Sequence, residues 1–217
     1  MTRLALFDLD GTILDTLSDL YASVNRALRT EHLAERTIEE VRSYLGNGIR
    51  LLIKRAVPEH TESAVEERVF SAFVRDYEQH CADQTAPFEG IPELFASLKK
   101  NGVKIAIVSN KADFAAQKLC QRFFSGAYDF AIGAKDGVAK KPARDMIDEA
   151  LSHFSGICER DCVYIGDSEV DVETAQNAGM REIAVLWGFR TEAELKNAGA
   201  TNFAANTQEL LQKIISA

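Results

Sequence analysis

Leu4-Ala5-Leu6-Phe7-Asp8-Leu9-Asp10-Gly11-Thr12 begins as a short apolar run and stops on an acid, with a second acid two residues later. Four consecutive apolar residues bounded by turn-forming groups are the pattern of a strand buried on both faces. The form returns at Val103 to Val108, which halts at Ser109-Asn110, and at Cys162 to Ile165, which halts at Gly166-Asp167. Tyr128 to Ile132 and Glu182 to Trp187 read as two further strands. Between them the period becomes that of a helix. Ile91 to Lys100 has Pro92 in its first turn, Leu94, Phe95 and Leu98 on one face, and Gly102 just past its end. Helices are likewise expected around Ala112 to Phe124, Ala143 to Phe154 and Val170 to Ala178. Strand and helix in alternation make an α/β, doubly wound core around a parallel sheet.

From Asp15 to about Thr85 the alternation lapses and only helical periodicity remains. Leu17, Leu20, Tyr21, Val24, Ala27 and Leu28 recur at spacings of three and four. Thr37 with Glu40 forms a capping box for a helix that carries Val41, Tyr44 and Leu45 and closes at Gly46. Val65, Val69, Phe73 and Tyr77 mark another. The expected organisation is therefore a core of residues 1–14 and 86–217, with residues 15–85 inserted after the first strand as a helical cap.

Composition narrows the class. The chain has 217 residues, 33 acidic against 25 basic, for a net charge of −8. An acidic chain with no basic run lacks the field that phosphate backbones require, so no nucleic-acid partner is expected. No apolar stretch approaches the length of a membrane span. Leu4 to Phe7 is too short for the apolar region of a signal peptide. Cys81, Cys120, Cys158 and Cys162 are scattered, with no second close pair to complete a zinc site, and suit free thiols in a reducing compartment. A cytoplasmic globular protein is the expectation. Oligomeric state leaves no mark in the sequence.

In open parallel sheets ligands bind beyond the carboxyl ends of the strands. Here those ends carry Asp8, Ser109 and Asp167, followed by Asp10, Gly11 and Thr12, by Asn110, and by Ser168 and Asp171. If Asp8, Asp10, Asp167 and Asp171 converge, each pair about 4 Å apart repels by roughly 4 kcal/mol at an effective dielectric of 20. Such a cluster needs a cation. Oxygen ligands without His or Cys favour a hard ion that accepts water and phosphate as further ligands, which points to Mg²⁺. Lys140-Lys141, before Pro142, can add positive charge. A metal, an ammonium and a hydroxyl around a carboxylate suit a phosphoryl group, whose transfer depends on neutralising its oxygens.

These residues resemble the motifs of the haloacid dehalogenase-like phosphohydrolases, and within them the phosphoglycolate phosphatase-like branch. Asp8-Leu9-Asp10-Gly11-Thr12 is similar to the first motif, Ser109 in Ile107-Val108-Ser109-Asn110-Lys111 to the second, Lys141 in Lys140-Lys141-Pro142 to the third, and Gly166 to Asp171 to the fourth. Order and spacing agree over nearly the whole chain. The resemblance implies Mg²⁺-dependent hydrolysis of a small phosphomonoester, phosphoglycolate being the leading candidate. Asp8 would be the nucleophile and form an aspartyl-phosphate, while Asp10 would protonate the leaving oxygen and later deprotonate water. The carboxylates of Asp8 and Asp167 and the main-chain carbonyl of Asp10 would hold the metal. Ser109 and Lys141, joined by Thr12 and Asn110, would bind the phosphoryl oxygens, with Asp171 and Ser168 behind them. Weaker likenesses are Tyr77 to Ile91, the Gly46-Asn47-Gly48 turn, and Trp187-Gly188-Phe189-Arg190. Arg144 departs from the branch, which commonly has a second proline there.

Each residue also has a plainer reading. An isolated Asp-x-Asp usually solvates a loop or caps a helix, Ser109-Asn110 alone is a turn, and Lys140-Lys141 alone is a solvated pair. Asp171 can complement a helix dipole, Trp187 can close a core, and Gly46-Asn47-Gly48 can be a helix stop. His32, His60, His80 and His153 stand in no motif and receive no role. Two rival functions use the same groups. A phosphomutase shares the acid at position 10 and differs in excluding water. A receiver-like phosphoacceptor stores a phosphoryl group on a strand-end aspartate, but needs neither that acid nor a cap. Closure of the cap would require hinges near Ile13 to Thr16 and Asp83 to Pro87.

Overall fold

The computed structural model describes residues 2–216, so positions 1 and 217, the outer ends of the expected core, lie outside it. In chain order the first half contains β1 (Leu4–Phe7), β2 (Leu14–Asp15), α1 (Leu17–Thr30), α2 (Ile38–Tyr44), α3 (Ile49–Ala56), α4 (Ser63–His80), β3 (Ala86–Pro87) and α5 (Ile91–Lys100). The second half continues with β4 (Lys104–Ala112), α6 (Asp113–Phe124), β5 (Phe130–Ala134), α7 (Asp145–Ser152), β6 (Cys162–Gly166), α8 (Glu169–Ala178), β7 (Arg181–Val185), α9 (Glu192–Asn197), β8 (Phe203–Ala204) and α10 (Thr207–Ile215).

The most apolar strand is central. β1 is fully buried and pairs in parallel with β4 on one side and β6 on the other. Among the described residues one six-stranded sheet runs β5-β4-β1-β6-β7-β8, parallel throughout. Alternation along β1 divides the core. Ala5 and Phe7 pack with Leu94, Phe95 and Leu98 of α5 and with Leu119 and Ile214. Leu4 and Leu6 face the other way, onto Met146, Ile147 and Ala150 of α7 and Ala175 and Ala178 of α8. Helices thus cover both faces, as the doubly wound reading expected.

Helices α1 to α4 form the insertion between β1 and α5. Leu20, Val24, Ala27 and Leu28 of α1 are buried with Val69, Phe73 and Tyr77 of α4, and the Thr37–Glu40 capping box starts α2. The chain enters and leaves through a two-stranded antiparallel ribbon, Leu14 opposite Pro87 and Asp15 opposite Ala86. A buried acid ties this ribbon to the first helix. Asp19 accepts hydrogen bonds from the Gln84 and Thr85 amides, at 3.0 and 2.8 Å, and from the Thr85 hydroxyl at 2.7 Å. Asp19→Ala strands these donors inside the protein, at a cost of roughly 3 kcal/mol. The expected melting temperature is lower by roughly 6–12 °C. A thermal melt within about two degrees of wild type would contradict this account.

Several boundaries differ from the sequence reading, for local reasons. β4 does not stop at Val108 but continues to Ala112, because it bulges. Val108 pairs with Ile132 and Ala112 with Ala134, leaving Ser109, Asn110 and Lys111 opposite the single residue Gly133. A side chain at Gly133 would collide with the backbone of Lys111 and Asp113, so a glycine faces the bulge. β7 ends at Val185, short of Trp187, and α7 spans Asp145–Ser152 inside the longer helix expected. Helix α3, the ribbon, and the α9-β8-α10 tail were not anticipated, being too short for a periodicity to declare itself or lying beyond the last strand read.

Candidate active site

Asp8 leaves the end of β1 still in register, its amide bonded to the Ile165 carbonyl at 2.9 Å. Beside it β6 ends at Gly166 and delivers Asp167, while the bulge of β4 turns Ser109, Asn110 and Lys111 inward. All three are buried. Lys141 arrives on the segment before α7. Its ammonium lies 3.0 Å from Asp8 Oδ1, 2.8 Å from Asp171 Oδ1 and 2.8 Å from the Tyr164 hydroxyl. Lys140 is exposed, so the two neighbouring lysines point to different surroundings, as successive side chains on the extended backbone before a proline do. Arg144, standing where the branch commonly has proline, is exposed and bonds Asp148 and Glu159 outside the site.

Asp167 is held from both sides. Its Oδ1 accepts from the Thr12 hydroxyl at 2.9 Å and its Oδ2 from the Phe189 amide at 2.7 Å. Side chains at Gly11 or Gly188 would collide with this carboxylate. Asp171 is the third residue of α8 in a capping box with Ser168, whose hydroxyl donates to Oδ2 at 2.6 Å. Oδ2 also accepts from the Asp167 and Ser168 amides, and Oδ1 serves Lys141. Asp171 therefore caps its helix and fixes the lysine with the same carboxylate.

The sequence reading needs correction at Thr12 and refinement at Asp10. Thr12 was expected at the phosphoryl oxygens, but its side chain is fully buried and its hydroxyl is spent on Asp167. The carboxylate oxygens that gather within 4.8 Å belong to Asp8, Asp167 and Asp171, and the Asp10 carboxylate is not among them. Asp10 turns instead to the Thr16 hydroxyl (2.7 Å) and the Lys111 ammonium (2.9 Å). Asn110 donates to the carbonyls of Gly46 in the cap and Lys141, at 3.1 and 2.9 Å, while the Ser109 hydroxyl accepts from the Lys111 amide. Trp187 belongs to the core, its indole nitrogen donating to the Thr12 carbonyl at 2.9 Å.

Two partners, Tyr164 and Lys111, receive no role from the sequence, and a third, Arg190, stands there only in a weaker likeness. Tyr164 lies inside β6, where its apolar neighbours disguised the hydroxyl that meets Lys141. Arg190, bonded to Glu169, also donates to the carbonyls of Arg42 and Leu45 at the end of α2, joining core to cap. Lys111 stands in the second motif itself, and a lysine directly after Ser-Asn at the end of an apolar run was the available signal. Burial alone would lower its ammonium, but Asp10 and Tyr77 outweigh that and hold it above the ordinary lysine range.

The electrostatics call for a cation. Burial pushes the Asp8 carboxyl up to about 6, with Lys141 pulling down and Asp171 and Asp10 pushing further up. Burial, then Asp171 and Asp8, hold Asp167 well above the usual carboxylate range. Asp8 Oδ1 is buried and has no well-directed hydrogen bond, although Lys141 is near. An unpartnered oxygen, a second clamped carboxylate and an all-oxygen donor set fit a hard divalent ion. Asp171 has no lone pair direction to spare for it. Above the cluster, Leu20, Leu45, Gly46, Gly48, Ile49 and Leu52 of the cap line the opposite wall of a crevice.

Residues 5–185 match the family model for the haloacid dehalogenase-like hydrolases. A phosphoglycolate phosphatase of Agrobacterium fabrum is 30% identical over 100% of this chain and 95% of its own, and phosphoglycolate phosphatase 1 of Pseudomonas aeruginosa is 32% identical over 97% and 79%. The crystal structure of a candidate phosphoglycolate phosphatase from Lactobacillus delbrueckii superposes with a TM-score of 0.93 at 37% identity, covering 100% of both chains. Among the described residues no helix is long and apolar enough to cross a membrane. With its strand-end carboxylates in one cluster and its sequence matched end to end, this chain belongs to the haloacid dehalogenase-like hydrolases and is a phosphoric monoester hydrolase.

Proposed function

We propose that the protein hydrolyses a small phosphomonoester through an aspartyl-phosphate on Asp8, with Mg²⁺ as its metal and phosphoglycolate as the leading candidate substrate. The observation that carries this reading is the buried Asp8 carboxylate, with Oδ1 unpartnered and Lys141 3.0 Å away. The relatives named as phosphoglycolate phosphatases support the substrate. Asp8 and Asp167 would hold the metal with the Asp10 carbonyl. An ion held there would neutralise the carboxylates and the phosphoryl oxygens.

Asp8 attacks phosphorus, forming its acyl phosphate as the bond to the leaving oxygen breaks. Asp10 gives that oxygen a proton. Lys141 and Ser109 balance and orient the transferred group, and Asp10 then takes a proton from the water that releases phosphate and regenerates Asp8. The crevice lies between cap and core, so movement of the cap on its ribbon would govern the entry of substrate.

Asp10→Asn should slow the second step most when the leaving group departs unprotonated. With an aryl phosphate, intact-protein mass spectrometry should show a phosphorylated enzyme. No trapped species would count against the role of Asp10. A turnover screen with Mg²⁺ across sugar, acid and nucleotide monoesters tests the substrate. Its readout is free phosphate, which a phosphomutase would not release.

A further inference from the structure

Lys111 is a buried ammonium with a partner on each side of the cap–core boundary. Its side chain is 1% exposed. On the core side it donates to Asp10 Oδ1 at 2.9 Å and Oδ2 at 3.2 Å. On the cap side it donates to the hydroxyl of Tyr77 in α4, and sits 4.7 Å from the centre of that ring. Tyr77 is itself fixed, fully buried and stacked on Phe73 at 5.3 Å. The remaining support of Asp10 is the Thr16 hydroxyl, on the first crossing into the cap.

Resting on the reading of Asp10 as the acid that serves the leaving group, we infer that Lys111 is a positioning residue that reports cap closure to Asp10: seated against Tyr77, it holds the Asp10 carboxyl where the proton must be delivered. With α4 withdrawn, a buried ammonium loses one oxygen partner and has reason to move, and the Asp10 side chain is left with Thr16. The acid is thus aligned when the crevice is shut and less well aligned when it stands open to water. Lys111 touches neither phosphorus nor the leaving oxygen. Its action is through the place of another group, and the bulge of β4 puts it there.

The test reads the proton delivered rather than turnover. Release of the alcohol in the first turnover is followed by stopped flow across aryl phosphates of rising leaving-group pKa, with Mg²⁺ at saturation. Asp10→Asn should steepen the decline of rate with leaving-group pKa. Lys111→Met, close in shape but unable to donate, should steepen it in the same sense, losing at least tenfold more on the poorest leaving group than on the best. Tyr77→Phe, which removes one hydroxyl and keeps the stacked ring, should do so by a few-fold, and it decides the matter if Lys111→Met fails to fold. A uniform loss across the series in Lys111→Met, or no change of slope in Tyr77→Phe, alongside a steepened Asp10→Asn, would overturn the inference alone. An unchanged slope in Asp10→Asn would overturn it together with the role of Asp10 beneath it.

Discussion

Asp8→Asn is expected to lower turnover by roughly four orders of magnitude or more, because an amide neither attacks phosphorus nor binds a divalent ion as a carboxylate does. The fold should survive. Asn matches the shape of Asp, and the Asp8 backbone stays bonded to Ile165. In metal-free protein the variant should even be the more stable at pH 8. The Asp8 carboxyl is raised to about 6 in the fold, so its ionised form weighs against folding. That penalty grows as the pH rises from about 4 to about 6 and persists above it. Removing the charge relieves it and should raise the melting temperature by a few degrees. Steady-state kinetics and a thermal melt check both halves, and activity near wild type would end the covalent mechanism.

The second large effect separates neighbours. Lys141→Ala should cut turnover by at least two orders of magnitude, whereas Lys140→Ala should change it by less than about threefold. Lys141 bridges Asp8, Asp171 and Tyr164 with its ammonium buried, and without it three carboxylates face one another unopposed. Breaking a buried pair on one side also costs about 3–5 kcal/mol, so the variant should melt well below wild type. Lys141→Met, which retains the stem, distinguishes lost charge from lost packing. Lys140 is exposed, and its ammonium lies beside Gly48 at the tip of the cap. Equal losses at 140 and 141 would mean that the loop before Pro142 sits differently in the working enzyme.

Much of this was legible in the sequence because strand ends announce themselves. An apolar run that stops on Asp8, Ser109 or Asp167 fixes which residues stand at the rim of the sheet, and Lys141 was singled out by its likeness to the third motif, directly before the proline. The insertion was legible as a lapse of alternation, and its two crossings fall at the positions where hinges were expected. What stayed hidden depends on pairing between distant segments. Thr12 looks like a free hydroxyl until Asp167, arriving from β6, claims it. The side chain of Asp10 looks like part of the acidic cluster until Lys111 and Thr16 draw it aside. Tyr164 reads as apolar filling in a core strand, since its hydroxyl matters only once Lys141 lies against it. In each case the local sequence is compatible with either outcome, and the tertiary partner decides.

The bulge in β4 constrains the chain in a way that side-chain chemistry does not. Between Val108 and Ala112 the number of residues matters as much as their kind, because both ends are locked to β5. Deleting one residue there would leave two residues opposite Gly133 and reverse the facing of part of the Ser109–Lys111 run, and inserting one would rotate all that follows. Upstream, Ile105 and Ile107 can trade volume with their neighbours as any core residues do. This short segment therefore tolerates substitution better than a change of length. A library that varies loop lengths in this protein should return active members with altered cap and tail connections, and none with a shortened or lengthened β4.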